Sequence, residues 1–516
     1  MTKVLVLGLD AADPGLLEAW ARDGTLPTWR RLLDEGTSCT TMNPPGLYIG
    51  AVWPSLFTGV SPTRHRRYCY EQLRPGTYEV APFHARDYGA PPFWTALGRA
   101  GRAVALVDVP KSPPPEPDVA LHVVDWGTHD PSLSGFRTHP VALRGEIEGT
   151  HGADPVDLCD GYGTDLAAVR ALNERLLRRV ETRARLGLDL FSRRTWDLFF
   201  LVFSESHCVG HHLWHVHDRS HARHDPGVRA AVGDPVENVY RRIDTALGRL
   251  LEAAGRDTCV VVLTSHGMGS HYDASFMLPD LLLAMQGVRV DTGVVQRLER
   301  GWSLLPARMR ALARPAVSRL RRRLSRQRAI GERPLGDVLR VPSISRLRYF
   351  AVPNNDVYGA IRLNLAGREP RGLVAPGAEA ECVVEEIRSG LASFVNEETG
   401  EPILEAVRPI AELYPGEDTR DLPDLIVEWN RRSPIRRVRS TRHGALARDF
   451  PGVRSGDHRP DGLLVARGPG IGAGCRTDPV RSVDLPATIA RLLGVFVPDL
   501  DGRPIAALLG AERTGR

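Results

Sequence analysis

Apolar residues occur in uninterrupted runs at several points along the chain, rather than in strict alternation with polar residues. The clearest runs are residues 4–9, 198–203 and 258–264. Runs of this kind are typical of central parallel strands that are covered on both faces. A shorter run at 103–108 and a helix-like pattern at 166–186 fit the same plan. The pattern therefore predicts an α/β fold with a mostly parallel central sheet.

A histidine-rich stretch follows the run at 198–203. His207 and His211 are four residues apart, so on a helix their rings would share one face. Two imidazoles in this arrangement form half of a binding site for zinc or another borderline metal. The stretch also lies just past the carboxyl end of a strand, where open α/β sheets bind ligands. The alternative is a solvated histidine run, because seven histidines lie between positions 207 and 224.

Two aspartates follow the first apolar run. Asp10 ends the run, and Asp13 comes just before a helix that we expect to start near Pro14. An aspartate beside a helix start can cap the helix, whereas an aspartate at the tip of a first strand is a frequent ligand. We therefore assign Asp10 to the functional site and Asp13 to the cap.

The composition is that of a globular protein and excludes some classes of function. The chain has 516 residues, of which 42% are hydrophobic and 25% charged, and its net charge is +5. This charge is too small to indicate nucleic-acid binding. No run of about 18 apolar residues occurs, so no membrane span is expected. The seven cysteines are scattered, and the amino terminus leads into the first run without a signal peptide. We therefore expect a cytoplasmic location.

The second half of the chain is less regular. Residues 296–332 are basic and amphipathic, and we interpret them as a solvated insertion, with a membrane-surface or partner helix as the alternative. Short strand-like segments between positions 346 and 430 predict a smaller α+β cap. We therefore divide the chain into three parts: a first core part at 1–284, an insertion and small cap at 285–440, and a final core part at 441–516.

Several motifs occur in an order that resembles a known superfamily. They are Leu9-Asp10, the Trp-x-Ser-x-x-Thr-Gly-x-x-Pro sequence at 53–62 followed by His65, Ser265-His266-Gly267-Met268, and His458 followed by Gly462. Together they resemble the alkaline phosphatase superfamily, and within it the type I phosphodiesterase/nucleotide pyrophosphatase branch. The resemblance implies a three-layer α/β sandwich with metal ligands at the carboxyl ends of the strands. It also implies a small-molecule phosphate ester as substrate.

The resemblance further implies two adjacent metal sites, which we call site one and site two. Carried over position by position, the ligands of site one are His207, His211 and His458, and those that remain at site two are Asp10 and His266. His207 and Ser265 each stand where the family pattern has an aspartate. Site one thereby becomes a set of three neutral imidazoles, while site two loses a carboxylate and should bind its ion weakly or not at all.

The family pattern also has a Ser or Thr nucleophile, and its position falls on Ile49, which has no nucleophilic atom. The adjacent Tyr48 is one candidate substitute, and direct attack by water is the alternative. Glu205 lies two residues before His207 and is a candidate general base. Its alternatives are to orient a ligand imidazole or to serve as an ordinary residue at a strand end.

Three imidazoles with an open coordination position lower the pKa of a bound water molecule towards about 7. We therefore expect a metal-dependent hydrolase of phosphodiesters or related phosphate esters that uses metal-bound hydroxide. Zinc is the expected ion, with iron or manganese as alternatives. Two other hypotheses remain. One is different metal-dependent chemistry on the same fold, such as sulfate or phosphonate ester hydrolysis, group transfer or a redox reaction. The other is a non-catalytic binding protein.

Overall fold

The structure is a computed structural model. It describes residues 2–84, 87–128, 135–156, 162–288, 333–339, 343–355 and 357–510. The basic segment at 296–332, for which the sequence predicts a solvated insertion, lies outside the described residues.

The strands are numbered in chain order. They are β1 (Lys3–Leu9), β2 (Thr37–Met42), β3 (Glu71–Leu73), β4 (Glu79–Pro82), β5 (Val104–Val107), β6 (Leu121–Val124), β7 (Arg137–His139), β8 (Leu198–Phe203), β9 (Thr258–Thr264), β10 (Gly267–Ser270), β11 (Arg333–Pro334), β12 (Tyr349–Val352), β13 (Tyr358–Leu363), β14 (Val395–Asn396), β15 (Leu404–Pro409), β16 (Leu425–Trp429), β17 (Arg437–Ser440), β18 (Gly444–Ala447), β19 (Gly456–Arg459), β20 (Gly462–Arg467), β21 (Cys475–Arg476) and β22 (Val480–Arg481).

The helices are numbered in the same way. They are α1 (Pro14–Arg22), α2 (Pro27–Glu35), α3 (Tyr48–Thr58), α4 (Pro62–His65), α5 (Phe93–Arg99), α6 (Leu143–Thr150), α7 (Leu166–Ser192), α8 (Glu205–His217), α9 (Pro226–Val232), α10 (Pro235–Ala254), α11 (Leu278–Met285), α12 (Leu335–Leu339), α13 (Ala378–Ala392), α14 (Ile410–Leu413) and α15 (Asp484–Leu492). No helix in the described ranges combines the length and the apolar character that crossing a membrane requires.

The chain divides into two compact units. The first comprises Met1–Tyr68, His84–Tyr272 and Pro451–Arg516, and the second comprises Cys69–Phe83 and Asp273–Phe450. These boundaries differ from the divisions after residues 284 and 440 that the sequence predicts. Helix α11 belongs to the second unit because its leucines lie in that unit's core. Strand β4 joins the same unit because it pairs with β11.

The first unit is built around a ten-stranded sheet with the order β21-β2-β20-β9-β1-β8-β5-β6-β7, in which β22 also pairs with β2. The central strands β9, β1, β8, β5 and β6 run parallel to one another, and β20 and β7 are antiparallel to the strands beside them. The predicted mostly parallel sheet is therefore confirmed. Asp13 caps α1 by accepting a hydrogen bond from the backbone N–H of Leu16, as predicted.

Alternate residues of β1 face two separate cores, because side chains alternate across a strand. Leu5 and Leu7 pack in one core with residues of α1, α2, α7, α8 and α10. Val4 and Val6 pack in the other core with residues of α3, α5 and α15. Helices therefore cover both faces of the sheet, which makes the first unit a three-layer sandwich. This explains why the central strands are uninterrupted apolar runs.

The second unit is a smaller α+β structure, as predicted. Its strands form three antiparallel sheets, β11-β4-β3, β12-β13-β16-β15 and β14-β17-β18. Leucines of α11 and apolar residues of α13 pack against the four-stranded sheet and form the unit's own core.

Candidate metal centre

Helix α8 begins directly after β8 and carries His207 and His211 in its first two turns. The centroids of the two rings are 4.4 Å apart, so the spacing of four residues places them on one face. The helix is buried from Glu205 to Val216. His212 and His215 are therefore buried as well, and the alternative of a solvated histidine run does not hold for these four residues.

Strand β19 brings His458 to the same place from the far end of the sequence. The approach of β19 to α8 requires a glycine, because a Cβ on Gly456 would lie 2.2 Å from the carbonyl oxygen of Gly210. The backbone N–H of Ser455 donates to the carbonyl of His211 at 2.6 Å. In return, Nδ1 of His211 donates to the carbonyl of Gly456 at 2.8 Å. A carbonyl oxygen can only accept, so Nδ1 carries the proton and Nε2 keeps its lone pair for a metal.

The three imidazoles of site one converge. The ring of His458 lies 4.9 Å from that of His207 and 4.5 Å from that of His211. One nitrogen from each ring lies within 4.8 Å of the other two, and all three residues are buried. Nitrogen ligands lie about 2 Å from a zinc ion, so a set this close together can surround one ion. Neutral imidazoles suit zinc and the neighbouring borderline metals, and these residues therefore fit a zinc-class ion.

Asp457 stands beside site one and is a residue that the sequence analysis did not select. Its Oδ1 lies 3.1 Å from Nδ1 of His458, and its Oδ2 lies 3.5 Å from Nε2 of His271. A carboxylate close to an imidazole is a usual neighbour of a metal-binding histidine. The sequence signal was the position of Asp457 directly before a proposed histidine ligand.

Site two is arranged differently. Oδ1 of Asp10 accepts hydrogen bonds from Nε1 of Trp53 and from Oγ of Ser265, each at 2.8 Å. Oγ of Ser265 also accepts from the backbone N–H of Ala11 at 3.0 Å. Two donors therefore occupy Oδ1, and protein groups satisfy one half of the carboxylate without an ion.

His266 and Tyr48 lie next to site one. The ring of His266 is 4.2 Å from that of His458 and 5.6 Å from that of Tyr48. Burial, with a further contribution from the charge of Lys111, lowers the pKa of His266 to about 3. The imidazole is therefore neutral and able to bind a metal at physiological pH. Tyr48, the first residue of α3, is buried beside it.

The helix that should carry the nucleophile offers none at the expected position. Ile49 lies in the first turn of α3, and its carbonyl oxygen accepts a hydrogen bond from Nζ of Lys111 at 2.7 Å. Ser55, further along the helix, is fully buried, and its Oγ lies 3.0 Å from Nε2 of His65. Ser55 is therefore part of a buried structural pair rather than a group that can reach a substrate.

Glu205, the candidate general base, lies in a buried ion-pair network at the start of α8. Its side chain is fully buried, and its Oε1 accepts hydrogen bonds from Nε of Arg179 and Nε of Arg183, each at 3.0 Å. Arg183 also forms an ion pair with Asp108. Two buried guanidinium groups therefore form ion pairs with this one carboxylate. Glu205 therefore anchors the start of α8 to α7, and its role as a general base stays a prediction.

Lys111 is a second residue that the sequence analysis missed. Composition was the available signal, because the chain contains 67 basic residues, of which only Lys3 and Lys111 are lysines. The structure brings Lys111 to Ile49 and within electrostatic range of His266. It thus lies on the side of the centre that contains the residues of site two.

Comparison with known proteins identifies relatives of this fold. The family model described as type I phosphodiesterase/nucleotide pyrophosphatase matches residues 4–433. A search of curated proteins found no match. Among solved structures, the phosphonoacetate hydrolase from Sinorhizobium meliloti 1021 in complex with phosphonoformate is 14% identical, with a TM-score of 0.51 over 96% of this chain and 95% of that chain. Murine ectonucleotide pyrophosphatase/phosphodiesterase 5 is 13% identical over 97% of both chains, with a TM-score of 0.48. At 14% identity, the first likeness supports the alkaline phosphatase-like fold and nothing finer.

Proposed function

Because this chain belongs to the type I phosphodiesterase/nucleotide pyrophosphatase family, and is therefore a phosphoester hydrolase, we propose that it hydrolyses phosphodiesters with a single divalent ion held by three histidines. The ion would occupy site one, with His207, His211 and His458 as ligands. Zinc is the proposed ion because neutral imidazoles suit it. The substrate would be a small phosphodiester or related phosphate ester.

The convergence of three buried imidazoles is the observation that carries this proposal. Their nitrogens lie within 4.8 Å of one another, although residues 207 and 458 are far apart in the sequence. The contact of His211 with a carbonyl oxygen and of His458 with a carboxylate supports it further. Such contacts are the usual surroundings of metal-binding histidines.

Water, rather than a side chain, would attack the phosphorus. Ile49 has no nucleophilic atom, and Ser55 is buried against His65. A zinc-class ion held by the three imidazoles would supply the needed chemistry by lowering the pKa of water to about 7. The oxygen of water would bond to phosphorus, the bond from phosphorus to the ester oxygen would break, and the alcohol would leave with a proton.

Metal content and hydrolysis of bis(p-nitrophenyl) phosphate, measured on the same preparations, test the proposal. We expect about one zinc per chain and measurable hydrolysis, both lost in His211→Ala. His217→Ala is the matched control, because His217 lies on the same helix and its Nδ1 pairs with Asp234 at 2.7 Å. This control should keep both the metal and the activity.

Other outcomes would replace parts of the proposal. Iron in place of zinc would favour a redox reaction, and two ions per chain would mean that site two binds metal as well. Loss of activity in Tyr48→Phe, together with a phosphorylated tyrosine in the wild type, would make Tyr48 the nucleophile. A protein that binds no metal after reconstitution would refute the proposed hydrolase and leave a binding function.

A further inference from the structure

A lysine at position 111 is unusual for this sequence. Of the 67 basic residues, all except Lys3 and Lys111 are arginines. Lys3 is exposed at the start of β1, where either residue type would be tolerated. Lys111 instead lies next to the candidate metal centre. A chain that uses arginine almost everywhere else thus has the smaller cation at this one functional position.

The structure holds Lys111 firmly in place. Its backbone has a positive φ of 61°, which is uncommon for a residue other than glycine. Its carbonyl oxygen accepts a hydrogen bond from the hydroxyl of Tyr88 at 2.8 Å, and that hydroxyl accepts from Arg67 at 2.9 Å. The ammonium group donates to the carbonyl of Ile49 at 2.7 Å. Hydrogen bonds therefore fix both the backbone and the ammonium group of Lys111. The positive charge lies beside the position at which the family pattern has its nucleophile.

Site two has one acidic metal ligand fewer than the family pattern. The second aspartate is replaced by Ser265, which donates to Asp10 at 2.8 Å, so this side of the centre has a weakened set of metal ligands. A phosphate ester nevertheless brings negative oxygen atoms that need a cation in the transition state. Ile49, whose carbonyl oxygen the ammonium group contacts, directly follows Tyr48, and the ring of Tyr48 lies 5.6 Å from that of His266, a residue of site two. No other lysine can supply such a charge, since Lys3 is exposed on β1.

We propose that the ammonium group of Lys111 takes the electrostatic place of the second metal ion and binds the non-bridging oxygens of the substrate's phosphoryl group. The inference rests on the proposed function, because it assigns the substrate-binding cation of the same site. It specifies the substrate class as esters whose phosphoryl oxygens are anionic and accessible from the side of Ile49.

The chemistry of lysine suits this role better than that of arginine. An ammonium group is a compact point charge with three rotatable donors, whereas a guanidinium group is a broad planar fork. A compact cation resembles the metal ion that it would replace. One of its N–H groups is engaged by Ile49, which fixes the ammonium group in position before substrate arrives. Such preorganisation lowers the cost of binding.

Titration with inorganic phosphate tests this inference without requiring turnover. The zinc-loaded protein is labelled at the Cε atoms of its lysines with ¹³C, which gives two lysine signals. We expect phosphate to shift the signal that is absent from Lys111→Met and to leave the Lys3 signal in place. By calorimetry, phosphate should bind at least tenfold more weakly to Lys111→Met, while Lys3→Met should match the wild type. Lys111→Arg, which keeps the charge, should fall between them.

The kinetic prediction follows from the same role. In Lys111→Met, kcat/KM for bis(p-nitrophenyl) phosphate should fall on the order of 100-fold, as for the loss of one preorganised donor, with the zinc content unchanged. Equal phosphate affinity in Lys111→Met and the wild type would overturn the inference, and so would a wild type that does not bind phosphate. Loss of zinc from Lys111→Met would also overturn it, because Lys111 would then support the metal site itself. A shift of the Lys111 signal without any ester hydrolysis would instead refute the proposed function alone.

Discussion

Replacement of Gly456 by alanine should weaken metal binding without removing any ligand. Gly456 allows β19 to pass close to α8. A Cβ at this position would lie 2.2 Å from the carbonyl oxygen of Gly210 and 2.8 Å from Cβ of Trp214. Both neighbours are on the helix that carries His211. The strand must therefore retreat by roughly 1 Å to restore ordinary van der Waals contact.

This displacement of β19 affects site one in two ways. The hydrogen bond from Nδ1 of His211 to the carbonyl of Gly456 is 2.8 Å long, and a lengthening of about 1 Å takes it beyond hydrogen-bond range. His458 lies two residues further along the same strand and moves with it. We expect a loss of about 1–3 kcal/mol in unfolding free energy of the metal-free protein from overpacking. We also expect zinc affinity to fall about 10- to 100-fold because the orienting contact is lost.

Competition with a chromophoric chelator measures the zinc affinity, and urea unfolding of the metal-free protein measures the stability. Gly149→Ala is the matched control. It makes the same change in α6, where an added Cβ meets no atom within 4 Å, and it should raise stability by about 0.5–1 kcal/mol. A Gly456→Ala protein that binds zinc as tightly as the wild type would refute the argument that the close approach of β19 sets the geometry of site one.

Three further predictions concern the charged and metal-binding groups. Glu205→Gln should cost about 3–5 kcal/mol of unfolding free energy because Arg179 and Arg183 lose a buried carboxylate. The control is Asp34→Asn in the exposed pair with Arg30, which should cost below about 1 kcal/mol. Equal losses in urea unfolding would contradict the anchoring role of Glu205. Burial lowers the pKa of His122 to about 3, below its unfolded value of about 6.5. The unfolded state therefore takes up the extra proton, stability falls as the pH drops from about 6.5 towards 3, and His122→Gln should reduce proton uptake on unfolding by about one. Removal of zinc by a chelator should lower the unfolding free energy by about 4 kcal/mol relative to protein at 1,000 times the dissociation constant, and an unchanged melting temperature would contradict a bound ion.

The architecture could be predicted from the sequence because each central strand is an uninterrupted apolar run. In β1, for example, every residue from Val4 to Leu9 is buried, and only a strand with helices on both faces requires that. The pairing of His207 with His211 could also be predicted, since it depends on helical spacing alone. The proximity of His458 to these two histidines could not be predicted from spacing. Its assignment to site one depended on the resemblance of its motif to the family pattern.

The ion pairs of Glu205 could not be predicted from the sequence, and the reason is physical. The sequence shows that Glu205 lies two residues from a proposed ligand, but not that two arginines of α7 occupy its carboxylate. Those partners are 26 and 22 residues upstream, and their contact depends on how α7 packs against α8. The observed unit boundaries differ from the predicted ones for the same reason. The pairing of β4 with β11 joins segments that are distant in sequence.

The replacement of an aspartate by Ser265 is chemically coherent with a single-ion centre. Two carboxylates facing each other at positions 10 and 265 would repel one another unless a cation lay between them. The hydroxyl of Ser265 instead donates to Oδ1 of Asp10 at 2.8 Å, and Nε1 of Trp53 donates to the same atom. The remaining carboxylate thereby gains two hydrogen bonds that do not depend on metal, while the three imidazoles of site one stay together. Asp10 therefore has hydrogen-bond partners other than a metal ion at site two, and this supports our proposal of one ion together with Lys111.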